Sequence, residues 1–280
     1  MTFFEAIILA IVEGLTEFLP VSSTGHMILT QFLMGMESTA FVKAFTVAIQ
    51  FGAILSVVCL YWKRFFRLNK TKDGLKGVKA FLWTFDFYWK LFVAFLPAAV
   101  IGLACSGLID EMLEKVWVVA LMLVIGGIFM LFADKLFDKM PKTNEVTNKM
   151  ALRIGLFQCL ALIPGVSRSM ATIVGGMAQN LSKKDAAEFS FFLAVPTMFA
   201  ATIYKIGSLL LEPQGFALMK EQWGTFLVGN IVAFLVAALS IKVFINMVER
   251  FGFKFFGVYR IIVGGIILLC LLVGQNMEIV

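Results

Sequence analysis

Fourteen residues near the start of the chain, Glu13 to His26 (EGLTEFLPVSSTGH), hold two glutamates, two serines, two threonines and the only histidine of the molecule. They lie between the apolar runs FFEAIILAIV and MILTQFLMGM. In a helix Glu13 and Glu17 stand at i and i+4 and share a face. A like-charged pair in apolar surroundings is costly, so either one carboxyl carries a proton or a cation lies between them. Hard oxygen ligands of this kind suit Mg2+ or Ca2+, which makes Glu13 and Glu17 candidate metal ligands. The alternative is a helix end dipping into water, with its acids merely solvated. Glu5 lies too near the terminus to demand a role.

An isolated histidine in such a run is most often a satisfied interior residue. The place of His26 beside Ser22, Ser23 and Thr24, just past a helix-breaking Pro20, favours chemistry instead. A serine close to a histidine can be an activated nucleophile, or the histidine can deprotonate water. Spacing alone leaves both open.

A second polar island, PGVSRSMAT, spans Pro164 to Thr172. Arginine is among the costliest residues to bury in a membrane protein, so Arg168 at a chain break should face a cavity or an anion. Its fork suits phosphate oxygens, and Ser167, Ser169 and Thr172, with the N–H groups of a helix start, would add donors to the same target. The rival reading is a structural pair between Arg168 and Glu17. Gln50, within TVAIQFGAI, is a candidate for the cavity wall or a bond to a neighbouring helix.

The elements that must carry these groups are apolar. The 280-residue chain is 60% hydrophobic with a mean hydropathy of +0.93, against about 45–50% apolar content for soluble domains. A membrane span needs roughly 20 mainly apolar residues, and six stretches qualify: Phe41–Trp62, Leu91–Leu108, Val116–Ala133, Phe189–Leu211, Phe226–Phe244 and Phe255–Val273. Two more, Phe3–Leu33 and Ala151–Gln179, are interrupted by Pro, Gly and hydroxyl residues and read as re-entrant hairpins. The first twenty residues carry three glutamates and no basic region, so no secretory signal is expected. Cys59, Cys105, Cys159 and Cys270 show no metal or disulfide spacing and are expected to be packing residues.

Laying LTEFLPVSST (15–24) over CLALIPGVSRS (159–169) aligns Pro20 with Pro164, and VIGGIFML from Val124 matches IVGGIILL from Ile262. Each half then holds one hairpin and three spans. Three is odd, so the second half inserts upside down relative to the first. The expected fold is an all-α integral membrane protein, one membrane domain over 1–280, with repeat one at about 1–140 and repeat two at about 150–280. At the positions of Glu13 and Glu17 the second half has Phe157 and Ala161. One half thus supplies acids and a histidine, the other an arginine and hydroxyls, and together they would make one site for a metal-bound phosphate.

The net charge of +6 concentrates in a few loops, which fits orientation in a bilayer better than nucleic-acid binding. Lys63–Lys90 holds eight basic and two acidic residues and is expected to be cytoplasmic, as are Asp134–Arg153 and Lys242–Lys254. SGLIDEMLEK, LLEPQGFALMKEQW and GQNMEIV fall outside.

ExxxE followed by PVSSTGH, together with PGxSRSxxT, resembles the motifs of the undecaprenyl diphosphate phosphatases, the bacitracin-resistance type. The likeness extends over essentially the whole chain, and neither motif departs from the pattern. The resemblance implies hydrolysis of undecaprenyl diphosphate to undecaprenyl phosphate and inorganic phosphate, recycling a lipid carrier for peptidoglycan and other envelope polymers. By the same resemblance Glu13 and Glu17 match the carboxylates tied to metal dependence and catalysis, His26 and Ser23 the proposed base and nucleophile, and Arg168 the phosphate-binding arginine. Ser22, Ser167, Ser169 and Thr172 fall within the motifs as further substrate contacts. Expected partners are the prenyl diphosphate and the bilayer, with a homodimer allowed and no nucleic acid. The expected location is the bacterial plasma membrane, with the site open to the extracytoplasmic side. The rival architecture-based reading is a lipid flippase or ion-coupled carrier. An intramembrane serine protease would share Ser and His but leaves the paired glutamates and Arg168 unused.

Overall fold

Helices dominate because hydrocarbon offers no partner for backbone N–H and C=O groups, so each segment must satisfy its own. The computed structural model describes residues 1–37, 39–66, 77, 83–137, 143 and 145–275. Among these are ten helices of ten residues or more, and no strand beyond an isolated bridge between Thr143 and Leu181. In chain order they are α1 (Phe3–Thr16), α2 (Ser23–Leu33), α3 (Ala40–Leu60), α4 (Asp86–Ala104), α5 (Val116–Phe137), α6 (Asn148–Gln158), α7 (Arg168–Met177), α8 (Lys183–Leu211), α9 (Trp223–Phe251) and α10 (Lys254–Leu272).

Six of them, α3, α4, α5, α8, α9 and α10, are long and apolar enough to cross a membrane, and they coincide with the six expected stretches. The expected span ending at Leu108 stops earlier: α4 closes at Cys105, and a separate short helix, Ser106–Leu113, follows. Large apolar side chains such as Phe132, Leu235, Leu239 and Leu269 are exposed on the outer surface, a liability in water and the required face in lipid. Cys59 is also exposed, contrary to the packing role expected of it, while the other three cysteines are half-buried and Cys270 packs against the core between α2, α5 and α10.

Several starts are set by side-chain caps. Thr2 and Glu5 form a reciprocal capping box at α1, with Thr2 N–H donating to Glu5 at 2.7 Å, which gives Glu5 its role. Thr39, Thr147 and Ser182 cap α3, α6 and α8 one way, each side-chain oxygen accepting from a backbone N–H of the first turn. Much of the basic segment Lys63–Lys90, including Lys72, lies outside the described residues, as does Asn144.

The packing crosses between the two ends of the chain. The most extensive pairing is α5 with α10, followed by α3 with α9 and α1 with α9; α3 also meets α8, and α6 packs on α4. The first short helix of the N-terminal part thus leans on a late span, and that of the C-terminal part on an early one. Between α1 and α2 the helix breaks at 17–22; between α6 and α7 it breaks through a short 3-10 turn, Cys159–Leu162, and the residues up to Ser167. These breaks carry the polar islands.

Candidate active site

Both breaks end on a serine held in the left-handed region, Ser22 at φ 69° and Ser167 at φ 77°. A non-glycine residue there is uncommon and strained, which is the kind of cost that functional loops carry. Each serine precedes the first residue of a helix, Ser23 of α2 and Arg168 of α7. The two breaks therefore present different side chains from similar backbones. In the second, Gly165 at φ 92° lies so close to Val119 O that a Cβ would stand 2.3 Å from it, and only glycine fits.

These residues face a cavity of about 510 Å³ lined by Glu17, Ser22, Ser23, Gln50, Ser167 and Arg168. Ser23 Oγ donates to Glu17 Oε2 at 2.5 Å. The other oxygen of that carboxylate, Oε1, accepts from Arg168 Nη2 at 3.1 Å. Glu17 therefore joins a hydroxyl from the first break to the guanidinium from the second. Arg168 is steadied further by Nη1 donating to Ser190 O at 3.0 Å and by the Phe18 ring, 5.8 Å from its Cζ. Its Nε is buried and has no partner. A buried guanidinium N–H without an acceptor is expensive, and a phosphate oxygen is the kind of group it lacks. The structural pair weighed for Arg168 and Glu17 is thus formed, with donors to spare.

The other expected residues are placed differently. Ser169 and Thr172 are fully buried and do not line the cavity. Ser169 Oγ donates to Leu19 O at 2.7 Å, tying the second break to the first; Thr172 Oγ1 donates to Arg168 O at 2.8 Å and meets Ser190 Oγ at 2.7 Å. His26 is also buried off the cavity wall. Its Nδ1 lies 2.8 Å from Ser22 O, so that nitrogen must carry the proton and donate. Its Nε2 then accepts from the Tyr259 hydroxyl at 2.8 Å, with the two rings stacked. Glu13 is 1% exposed, with Oε1 lacking a partner.

Two residues that matter escaped the sequence reading, Tyr259 and Arg260. Arg260 is 0% exposed and donates only to backbone carbonyls. The signal was present, since an arginine inside KFFGVYRIIVGGI interrupts an otherwise apolar span.

A family model described as "Bacitracin resistance protein BacA" matches residues 6–266. Among curated relatives, the "Undecaprenyl-diphosphatase" of Porphyromonas gingivalis strain W83 is 56% identical, with both chains covered in full. A protein of the same description from Flavobacterium psychrophilum is 52% identical over 96% of each chain. Another, from Bdellovibrio bacteriovorus, is 49% identical over the whole of both.

Proposed function

The chain belongs to the bacitracin resistance protein BacA family, and on that premise we propose how its own residues perform the reaction of its relatives. It is a multi-pass membrane hydrolase that converts undecaprenyl diphosphate to undecaprenyl phosphate and inorganic phosphate. The observation that carries the residue assignment is the chain Ser23 Oγ to Glu17 to Arg168 on one cavity wall.

In this reading Ser23 Oγ attacks the terminal phosphorus, and its proton passes to Glu17 Oε2, the oxygen it already touches. The bond from phosphorus to the bridging oxygen breaks, and undecaprenyl phosphate leaves with that electron pair. Arg168 holds the oxygens of the transferring group, where charge stabilisation is the main demand of phosphoryl transfer. Water then attacks the phosphoserine and the bond from phosphorus to Ser23 Oγ breaks; Glu17 returns its proton to Ser23, and inorganic phosphate departs with both protons of the water. Ser22 and Ser167 offer hydroxyls from the same wall. His26 acts from behind it, holding the Ser22 carbonyl.

A divalent cation, Mg2+ or Ca2+, is part of the proposal. The partnerless Glu13 Oε1 is a hard oxygen of the right chemistry. No group of three or more His, Cys, Asp or Glu capable of holding a metal occurs among the described residues. Glu13 and Glu17 would hold the ion together with oxygens of the substrate. When bound it supplies charge neutralisation to the diphosphate.

The finer architecture is proposed on the same footing: two inverted repeats, each a re-entrant hairpin and three spans. The reciprocal packing of α1 on α9 and α6 on α4 supports it. The plasma membrane and an extracytoplasmic opening are supported by the cavity reaching Ser106, Ile109 and Leu113, in a segment that loop charge puts outside.

Purified protein and a diphosphate labelled at its terminal phosphate test the assignment. Rapid quenching should leave label on Ser23, and Ser23→Ala should leave none and lose phosphate release. Substantial turnover by Ser23→Ala would make water the nucleophile. Chelation should stop release, and Glu13→Gln should raise the metal concentration at half-maximal activity about tenfold or more, in line with losses at metal sites; an unchanged titration removes the metal from Glu13.

A further inference from the structure

Arg260 has five N–H donors, and the structure gives each an acceptor. Nε donates to Leu123 O at 3.3 Å, Nη1 to Pro20 O and Val166 O at 3.1 Å each, and Nη2 to Met122 O at 3.1 Å and Gly165 O at 2.8 Å. Two acceptors belong to α5, one to the first break and two to the second. Among the described residues no carboxylate pairs with it. A buried cation without a counter-ion is tolerated where every donor is spent. A lysine in this place has three donors on one point and cannot reach five carbonyls on three segments.

The seat is built for the guanidinium. At Gly126 a Cβ would stand 2.5 Å from Arg260 Nη2 and 3.1 Å from Cζ. The glycine pair in VIGG, which marks the internal repetition, is thus where α5 makes room for the arginine of α10.

The position of the acceptors gives the seat its meaning. Pro20 is three residues before Ser23, and Val166 is two before Arg168. The breaks lack a helical ladder at these points, so their carbonyls need an outside donor. Other direct ties between the breaks are Ser169 Oγ to Leu19 O, the Arg168–Glu17 pair itself and the Phe18 ring beside the Arg168 guanidinium.

We propose that Arg260 is a positioning residue for phosphate release: its guanidinium clamps the main chain of both breaks and so sets Ser23 against Arg168. This deepens the reading above and rests on it. Arg260 touches no substrate. Its effect is on alignment, and misplacement by about 1 Å can cost on the order of 100-fold in rate.

The test is steady-state release of phosphate from a short-chain prenyl diphosphate by detergent-purified wild type, Arg260→Lys and Gly126→Ala, with Ser23→Ala as reference. Folding is followed by thermal midpoint and by elution as a single species. Arg260→Lys should lose about 100-fold in kcat per folded molecule, the folded share being read from the elution and the thermal midpoint, with KM changed less than about threefold, so that the loss is one of rate in folded protein. Gly126→Ala displaces the guanidinium without removing it, and should lose about tenfold in kcat, again at near-constant KM. Either variant, folded and turning over within about twofold of wild type, overturns the clamp. Should Arg260→Lys not be recovered folded, Gly126→Ala decides. A fully active Ser23→Ala would instead sink the underlying assignment, whatever the Arg260 variants do.

Discussion

At the first break Ser22 sits at φ 69° and ψ 100°, and at the second Ser167 sits at φ 77° and ψ 118°, yet the next residue is Ser23 in one and Arg168 in the other. The hydroxyl of Ser167 caps its helix by accepting from Met170 N–H at 3.3 Å, whereas Ser22 makes no capping bond. Behind the first break stand Glu13 and Glu17; at the aligned places in the second stand Phe157 and Ala161. One backbone solution has been used twice, and only the side chains at its tip and back divide the work. The first break carries the hydroxyl and the proton acceptor, the second the anion holder.

The comparison is broken most severely at Glu17, the residue that touches both tips. Glu17→Gln should keep its volume and lose about 1,000-fold or more in kcat, because an amide cannot take the proton of Ser23. Phosphate release by protein of unchanged helix content checks this, and a loss below tenfold would mean that the first break does not handle the proton. Arg168→Lys should lose about 100-fold in kcat/KM, since a point-like ammonium does not reproduce a fork. A well-functioning lysine variant would leave Arg168 as a counter-ion to Glu17 and erase the division. The smallest effect sharpens the picture. Tyr259→Phe keeps the ring beside His26 but removes one hydrogen bond, worth about 1 kcal/mol, and should lower kcat about fivefold. Inhibition by inorganic phosphate, which reports the second break, should not move. A loss as large as that of Glu17→Gln would put His26 and Tyr259 on the proton path.

Hydropathy made the six spans legible because each must be apolar along about 20 residues, and the breaks were legible because Pro20 and Pro164 sit among hydroxyls. The same clues brought Glu17, Ser22, Ser23, Gln50, Ser167 and Arg168 to one cavity. Spacing could not separate Thr172 from Arg168, four residues along one helix, although only the arginine reaches the cavity wall. Nor could it show that both nitrogens of His26 are occupied, because one partner, Tyr259, lies 233 residues away. Arg260 was missed because it lies in an apolar span far from either motif; its meaning exists only once α5, α10 and the breaks are folded together.

Arg260 lies in α10, after the other five spans in chain order, and its bond to Pro20 joins residues 240 apart in sequence. A nascent chain ending before α10 has both breaks and every cavity group named above, but no donor for the Pro20 and Val166 carbonyls. The arginine in turn has little reason to enter hydrocarbon until those carbonyls are there to receive it. Assembly of the centre is therefore tied to the arrival of α10 among the spans that precede it, and until then the two breaks stand without the donor they share.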